Sequence, residues 1–193
     1  MRRVILSSTN RGYERHKSDY YVTPQHEIVN FLNHFKRVED FDFDNILDPC
    51  AGGDESHEMS YPEALSNFGL DDVTTVDIRE DSKAEIIADY RDLELDQSFD
   101  LIITNPPFKI ARDIIEKGFE DLTEDGFLIM LLRLNYFGSR KRFDMWQNFM
   151  PKYTFVHHKR LSFTDGGGTD SIEYAHFVWQ NNKNPDFTKL KVI

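Results

Sequence analysis

The run Phe99-Asp100-Leu101-Ile102-Ile103-Thr104 leads directly into Asn105-Pro106-Pro107-Phe108. The first six residues have the length and apolar content of a buried β-strand. The two prolines fix their φ angles and remove two backbone donors, which predicts a stiff turn with outward-facing carbonyl groups. Asn105 adds a side-chain acceptor and Phe108 adds a flat aromatic face. A planar amine over that ring could donate both N–H groups to the Asn105 oxygen and a proline carbonyl, so the turn predicts a site for an exocyclic amino nucleophile.

Three apolar runs upstream also end in a polar residue where a strand would stop. They are residues 45–48, which end at Asp48 and continue as Pro49-Cys50-Ala51-Gly52-Gly53, residues 72–77, which end at Asp77, and residues 85–89, which end at Asp89. Ligands of open α/β sheets bind at the edge where the carboxyl ends of the strands meet. We therefore expect one crevice lined by these polar tips and by the Asn-Pro-Pro-Phe turn.

Helical patterns separate the predicted strands. Ile28, Phe31, Leu32 and Phe35 follow the spacing of an amphipathic helix, with Thr23 as a candidate cap and Pro24 at the first helical position. Further helices are predicted from Ser60, after the Asn-Pro-Pro-Phe turn, and over residues 139–150. Residues 127–135 predict a central strand, and residues 154–161 and 173–180 predict an antiparallel hairpin. The expected fold is α/β, a Rossmann-like, doubly wound, mostly parallel seven-stranded sheet with a C-terminal antiparallel hairpin.

Length and composition indicate one globular domain. The chain has 193 residues, of which 39% are hydrophobic, and shows neither an internal repeat nor a long linker. Residues 1–19 are interpreted as a basic, flexible arm and residues 20–193 as a single domain. The single cysteine, Cys50, excludes an intramolecular disulfide and a multi-cysteine metal cage. Without an apolar run long enough for a signal peptide or a membrane span, the chain is expected in the cytoplasm.

The net charge of −11 argues at first against a nucleic-acid partner. The charge is uneven, however, because residues 39–100 carry 20 acidic and 3 basic side chains, whereas residues 130–160 carry 7 basic and 1 acidic. Phosphate contact depends on the local field and not on the total charge. A polyanion therefore remains a possible partner, and its binding is expected to be weak, salt-dependent and centred on residues 130–160.

Five motifs in order give the chain a resemblance to a known family. They are Tyr21-Val22-Thr23-Pro24, Asp48-Pro49-Cys50-Ala51-Gly52-Gly53, Val76-Asp77-Ile78, Ala88-Asp89-Tyr90 and Asn105-Pro106-Pro107-Phe108. This set resembles the class I S-adenosylmethionine (SAM)-dependent amino-methyltransferases, and most of all the compact phage-type N6-adenine DNA methyltransferases. The resemblance spans about residues 20–180.

The resemblance implies SAM as the cofactor and assigns a set of residues to it. Asp48, Ala51 and Gly52 would hold the methionine end, Asp77 the ribose hydroxyls, Ile78 the adenine ring and Asp89 the adenine amino group. The other residues of the implied cofactor site are Tyr21, Thr23, Pro24, Pro49, Tyr90 and Asn105. The family's first motif commonly has another glycine soon after the Ala-Gly pair, where this chain has the insertion 54–58.

The resemblance also implies direct methyl transfer to an exocyclic amine, with adenine N6 in DNA as the expected target. Asn105, Pro106, Pro107 and Phe108 would bind the target amine and base. Candidate phosphate contacts are Arg133, Asn135, Arg140, Lys141, Arg142 and Arg160, and a loop with Ser162, Phe163, Gly167 and Asp170 would cover the target. About 45 residues separate Phe108 from the strand near Thr154, which leaves no room for a large target-recognition domain.

Three alternatives remain open from the sequence. The same turn serves any planar amine, so the substrate could be an RNA adenine or a protein glutamine. A chain that binds SAM or nucleic acid without catalysis is the third, although the intact Asn-Pro-Pro-Phe turn argues against it. No metal is expected, because the adjacent His157 and His158 would face opposite sides of a strand.

Overall fold

The computed structural model describes residues 22–163 and 172–193. The predicted arm 1–19 and the predicted site residues Tyr21, Gly167 and Asp170 lie outside the described residues. No helix within the described ranges is long and apolar enough to cross a membrane.

One twisted sheet forms the centre of the molecule. Its strands are β1 (Ile46–Asp48), β2 (Val73–Asp77), β3 (Ile86–Ile87), β4 (Phe99–Thr104), β5 (Leu122–Arg133), β6 (Tyr153–Val156), β7 (Tyr174–Gln180) and β8 (Lys189–Val192). They lie in the order β3-β2-β1-β4-β5-β7-β6-β8. Only β7 runs antiparallel to its neighbours within the described strands, pairing with both β5 and β6. The predicted mostly parallel sheet with a C-terminal antiparallel pair is confirmed.

The eighth strand differs from the seven-stranded prediction. β8 pairs in parallel with β6, with Tyr153 opposite Lys189 and Val156 opposite Val192. All four of its residues are exposed at the edge of the sheet. A short strand that buries no apolar side chain has no hydrophobic pattern of its own, so the sequence carries little signal for it.

Helices cover both faces of the sheet. They are α1 (Gln25–Phe35), α2 (Ser60–Ser66), α3 (Ala111–Asp121) and α4 (Phe143–Asn148), with 3-10 turns at Tyr90–Asp92, Leu134–Phe137 and Arg140–Arg142. The buried stripe of α1 joins α2 in one apolar cluster, whereas α3 and α4 contribute to the cluster on the other face. This arrangement is the doubly wound architecture expected from the alternation of strands and helices.

Two predicted helix starts differ in detail. The α1 helix begins at Gln25 after Pro24, and Thr23 makes no capping bond to it. The basic helix predicted over residues 139–150 is divided, because Ser139 accepts a hydrogen bond from the Lys141 amide and caps a 3-10 turn before α4 begins at Phe143. Both polar side chains are therefore present at the predicted helix starts but have different partners.

Candidate cofactor crevice and target loop

The loop after β1 is held close to the end of β2. The amide of Ala51 donates to the carbonyl of Val76 at 2.9 Å, and the amide of Gly52 donates to Asp77 Oδ2 at 2.8 Å. Gly52 and Gly53 have φ angles of +70° and +72°, which favour glycine. A Cβ on Gly53 would also lie 2.8 Å from Met59 Cγ. The glycines that were predicted to let a ligand approach the backbone are therefore also needed for the conformation of the loop.

Asp77 ties this loop to the next segment of chain. Its Oδ1 accepts hydrogen bonds from the Arg79 amide at 2.9 Å and from Arg79 Nε at 3.4 Å. The buried Arg79 also donates from Nη2 to the Gly53 carbonyl at 2.5 Å. Among the described residues Oδ2 accepts only the hydrogen bond from Gly52, so Asp77 retains capacity at this oxygen for a ribose hydroxyl. Arg79 was not among the predicted site residues, because a single arginine in an acidic stretch is typical of the surface.

Asp48 is fully buried at the end of β1. Its Oδ1 accepts a hydrogen bond from the Cys50 amide at 3.2 Å, and its Oδ2 has no hydrogen-bond partner within residues 22–163 and 172–193. Burial, with the nearby charge of Asp77, raises the pKa of Asp48 to about 7. The Thr104 hydroxyl lies close enough to favour the ionised form, although it does not reach hydrogen-bond geometry. A buried carboxylate oxygen without a partner is suited to a cationic ligand.

The remaining cofactor predictions fall into two groups. Ile78 is 60% exposed beside Asp77, as an apolar surface for an adenine ring requires. Asp89 instead pairs with Arg91, whose Nη2 lies 2.5 Å from Oδ2, and the hydrogen bonds from Arg91 lower the pKa of Asp89. The Tyr90 ring is buried in the core and its hydroxyl donates to Asp121 Oδ2 at 2.6 Å, so only its backbone remains for the predicted contact.

The target loop is anchored by a contact that links two of the predicted motifs. Asn105 Nδ2 donates to the buried Thr23 Oγ1 at 2.9 Å, directly before Pro24 and α1. An amide with its nitrogen held in this way presents its oxygen as the remaining acceptor. Pro106 is buried and the Ile110 amide donates to the Pro107 carbonyl at 3.1 Å, which closes the turn onto α3. The geometry preserves the acceptor that the sequence assigned to a planar amine.

Phe108 lies beside this acceptor and has an unexpected neighbour. The guanidinium carbon of Arg133 is 4.8 Å from the centroid of the Phe108 ring, and the Tyr174 ring centroid is 6.0 Å away. Arg133, predicted to contact phosphate, therefore lies over the proposed base-stacking ring. A cation in that position is favoured by the electron-rich face of the ring.

The other predicted substrate residues divide into engaged and exposed side chains. Arg142 Nε donates to the Tyr136 carbonyl at 2.8 Å and its guanidinium carbon lies 4.0 Å from the Tyr136 ring centroid. Arg160 forms a surface pair with Glu173 at 3.8 Å. Phe163 packs edge-on against Tyr174 at 4.9 Å between ring centroids, and its neighbour Ser162 is half-buried. Arg160 is exposed despite its pair with Glu173, and Asn135, Arg140 and Lys141 are exposed as well.

A buried chain of hydrogen bonds crosses the α1 side of the sheet. His157 Nδ1 lies 3.2 Å from Glu27 Oε2, His157 Nε2 lies 2.9 Å from His176 Nδ1, and His176 Nε2 lies 3.0 Å from the Tyr61 hydroxyl. Burial lowers the pKa of both histidines, and burial, with the charge of nearby Asp48, raises the pKa of Tyr61. None of these four residues was among the predicted site residues.

The described part of the chain contains no group of three His, Cys, Asp or Glu side chains that could hold a metal ion. His157 is buried and His158 is exposed, as expected for adjacent residues at the end of a strand.

The chain was also compared with known proteins. No protein-family model matches it, and no curated protein matches its sequence. Its fold is similar to a protein from Listeria monocytogenes classed as a class I SAM-dependent methyltransferase, with TM-score 0.59 and 14% identity over 89% of this chain and 65% of that chain. It is also similar to a protein from Pyrococcus horikoshii classed as an RNA methyltransferase, with TM-score 0.60 and 16% identity over 90% of this chain and 94% of that chain.

A third similar structure contains a ligand. The N-methyltransferase NodS from Bradyrhizobium japonicum, in complex with S-adenosylhomocysteine, has TM-score 0.55 and 11% identity, over 83% of this chain and 89% of that chain. The present chain spans less than two thirds of the Listeria protein and most of the other two. These likenesses show that the chain has the fold of the class I SAM-dependent methyltransferases.

Proposed function

We propose that this protein is a SAM-dependent methyltransferase that moves a methyl group directly to an exocyclic amine, with adenine N6 in DNA as the substrate. The observation that carries the proposal is the hydrogen bond from Asn105 Nδ2 to Thr23 Oγ1 at 2.9 Å. It leaves the Asn105 oxygen to accept an N–H from the amine, beside the Phe108 ring. The acceptor lies at the carboxyl end of β4, next to the crevice formed by β1 and β2.

The residues of the crevice fit SAM. The unpartnered buried Oδ2 of Asp48 suits the ammonium group of the methionine end, and the exposed Ile78 suits the adenine ring. Asp77, held by Gly52 and Arg79, is oriented for the ribose hydroxyls. SAM would supply an activated methyl group on a cationic sulfur.

The chain's own residues would act by orientation and electrostatics. Asn105 Oδ1 and a proline carbonyl accept both N–H groups of the target amine, which directs the nitrogen lone pair toward the methyl carbon. The N–CH₃ bond would form as the S–CH₃ bond breaks, S-adenosylhomocysteine would be the leaving group, and the extra proton on the nitrogen would pass to water. Phe108 holds the plane of the base. No covalent intermediate with the enzyme is required.

Nucleic acid is favoured as the substrate by the exposed basic side chains Arg140 and Lys141 after β5. RNA is the second candidate, because the similar Pyrococcus protein is classed as an RNA methyltransferase. A base within a duplex would have to leave the stack to reach Asn105. Protein glutamine offers the same planar amine but no phosphate for the basic side chains.

The proposal is tested by incubating the protein with methyl-labelled SAM and, separately, DNA, RNA or cell protein. The products are digested and the methylated species are identified by mass spectrometry. We expect label as N6-methyladenine in DNA. Label only in RNA or in glutamine would overturn the DNA assignment, and no transfer to any of the three would overturn the enzymatic function.

Replacing Asp77 with alanine is expected to weaken SAM binding, because the ribose would lose a charge-assisted hydrogen bond. Such a bond contributes about 1.5–3 kcal/mol, or roughly 10- to 150-fold in Kd. Isothermal titration calorimetry measures the loss. Asp77→Asn is the milder companion variant, since it retains hydrogen-bonding capacity beside Gly52 and Arg79.

The matched control is Asp72→Ala, which removes an exposed carboxylate just before β2, at the opposite edge of the sheet. Thermal melts of the free proteins separate a loss of SAM binding from a loss of folding. An unchanged SAM affinity in folded Asp77→Ala would place the ribose elsewhere.

A further inference from the structure

We propose that Phe143 stacks on an unpaired base next to the target adenine, while Arg140 and Lys141 contact the adjoining phosphates. This inference rests on the proposed function and adds a residue that the Asn-Pro-Pro-Phe motif does not include. Its partner is a single-stranded or locally opened stretch of nucleic acid.

The side chain of Phe143 is largely exposed to solvent. It is 66% exposed at the first position of α4, whereas Met145 and Trp146 of the same helix are buried. A single exposed aromatic residue is common on protein surfaces and alone implies nothing. The case depends on what surrounds this ring.

The surroundings of Phe143 are basic. The preceding turn, Arg140–Arg142, contributes three cationic side chains. Arg140 and Lys141 are exposed, and neither has an ion-pair partner within the described ranges. Aromatic rings between cationic side chains are typical of surfaces that bind single-stranded nucleic acid, because every base offers a flat face and every nucleotide a phosphate.

The adjacent acidic residue is already paired. Asp144 Oδ2 lies 3.3 Å from Arg112 Nη2, and Arg112 Nε donates to Glu116 Oε1 at 2.8 Å. The ion pair between Asp144 and Arg112 joins the first turn of α4 to the first turn of α3. Since α3 begins three residues after Phe108, this pair places Phe143 at the same edge of the sheet as the target loop.

The turn that carries Phe143 is rigid. Ser139 Oγ accepts from the Lys141 amide at 3.2 Å, and Arg142 is fixed by its hydrogen bond to the Tyr136 carbonyl and by its position over the Tyr136 ring. Tyr136 is itself buried against Trp146. The Arg142 side chain is therefore held within the turn by Tyr136, whereas Arg140, Lys141 and Phe143 are exposed on its surface. A preorganised surface loses little freedom when it binds.

The test compares Phe143→Ala, Phe143→Leu and Phe143→Trp with the control Phe187→Ala. Phe187 is 73% exposed but precedes β8, at the opposite edge of the sheet. Binding of a fluorescent single-stranded oligonucleotide with one adenine is measured by anisotropy, and methylation of the same oligonucleotide gives KM and kcat. Circular dichroism and melting confirm that each variant is folded.

We expect Phe143→Ala and Phe143→Leu to weaken binding about tenfold and to raise KM with kcat within about twofold, whereas Phe143→Trp and Phe187→Ala bind as the unchanged protein does. Oligonucleotides with an abasic site beside the adenine provide a second readout. The unchanged protein should bind the abasic strand about tenfold more weakly than the intact strand. The Phe143→Ala variant should bind the abasic strand and the intact strand equally well.

Each contrary result has a distinct meaning. Normal binding by Phe143→Ala, with methylation intact, would overturn the stacking role and leave the proposed function standing. Normal binding by Phe143→Leu would show an apolar contact without stacking. A change of oligomeric mass in Phe143→Ala, measured by analytical ultracentrifugation, would assign the ring to a protein interface instead. Failure of the unchanged protein to bind or methylate any nucleic acid would overturn the proposed function itself.

Discussion

Replacing Asn105 with alanine is expected to slow methyl transfer by roughly 10²- to 10³-fold while SAM affinity stays within a few-fold of that of the unchanged protein. The Asn105 oxygen would be the acceptor that orients the amine, and losing one preorganised group of this kind typically costs roughly 10²–10³ in rate. The side chain donates a hydrogen bond to Thr23, and no described contact joins it to Asp48, Asp77 or Ile78. Single-turnover methylation measures the rate, and calorimetry measures SAM binding.

Thr23→Val provides the companion variant, because valine has nearly the shape of threonine but cannot accept the hydrogen bond from Asn105 Nδ2. The amide would then be free to rotate and present its nitrogen, so we expect a partial loss of rate, smaller than in Asn105→Ala. A large loss of SAM binding in Asn105→Ala, or full activity in that variant, would contradict the role assigned to this amide.

Replacing Asp48 with asparagine is expected to stabilise the free protein at pH 8 and to weaken SAM binding. The pKa of Asp48 is raised from 3.8 to about 7, so the folded state holds this proton more tightly than the unfolded state does. The stability of the unchanged protein therefore falls as the pH rises from about 4 to 7, and the full cost of the buried charge is present above pH 7. Asparagine carries no charge and avoids that cost, which is roughly 4 kcal/mol for a shift of about three pKa units.

Urea unfolding of both proteins at several pH values measures this effect. The difference in the free energy of unfolding between the two proteins should be largest above pH 7 and should disappear toward pH 4. The buried histidines change the free energy of unfolding with pH in the opposite direction over this range. They are present in both proteins, so their contribution cancels when the two free energies are subtracted. Asp81→Asn, at an exposed position in the loop after β2, serves as the control. A difference independent of pH would show that Asp48 is not the titrating group.

SAM binding has a matching pH dependence. The proposed contact between the ammonium group of SAM and Asp48 requires the ionised carboxylate, so binding below pH 7 would have to displace a proton. We expect the affinity of the unchanged protein to fall by up to about tenfold per pH unit below 7, and Asp48→Asn to be weak throughout. A flat profile in the unchanged protein would place the ammonium group elsewhere.

Local sequence patterns predicted the elements in which burial dominates. The strand Phe99–Thr104 was predicted with its observed bounds, because five of its six side chains are buried and the prolines that follow prevent its continuation. The acidic strand tips Asp48 and Asp77 were also placed at one edge of the sheet. Each of these features depends on a short segment of chain and on the general rule that parallel strands share their carboxyl edge.

Long-range contacts explain what the sequence did not predict. Arg133 lies over Phe108, and Asn105 donates to Thr23 across 82 residues of chain. Asp89, which the resemblance assigns to the cofactor, also accepts hydrogen bonds from Arg91, two residues away. Such pairings depend on side-chain directions that a linear pattern does not encode, and β8 depends on backbone pairing at an edge without burial.

The buried chain from Glu27 to Tyr61 has a direction, and the tautomers of two histidines follow from it. An ionised Glu27 can only accept, so the proton of His157 belongs on Nδ1 and its Nε2 accepts. His176 must then carry its proton on Nδ1 and accept at Nε2, which makes Tyr61 a donor to His176. The only hydroxyl hydrogen of Tyr61 is thereby turned away from Asp48. The Tyr61 hydroxyl is thus used within this chain, and Asp48 receives no hydrogen bond from it in the described structure.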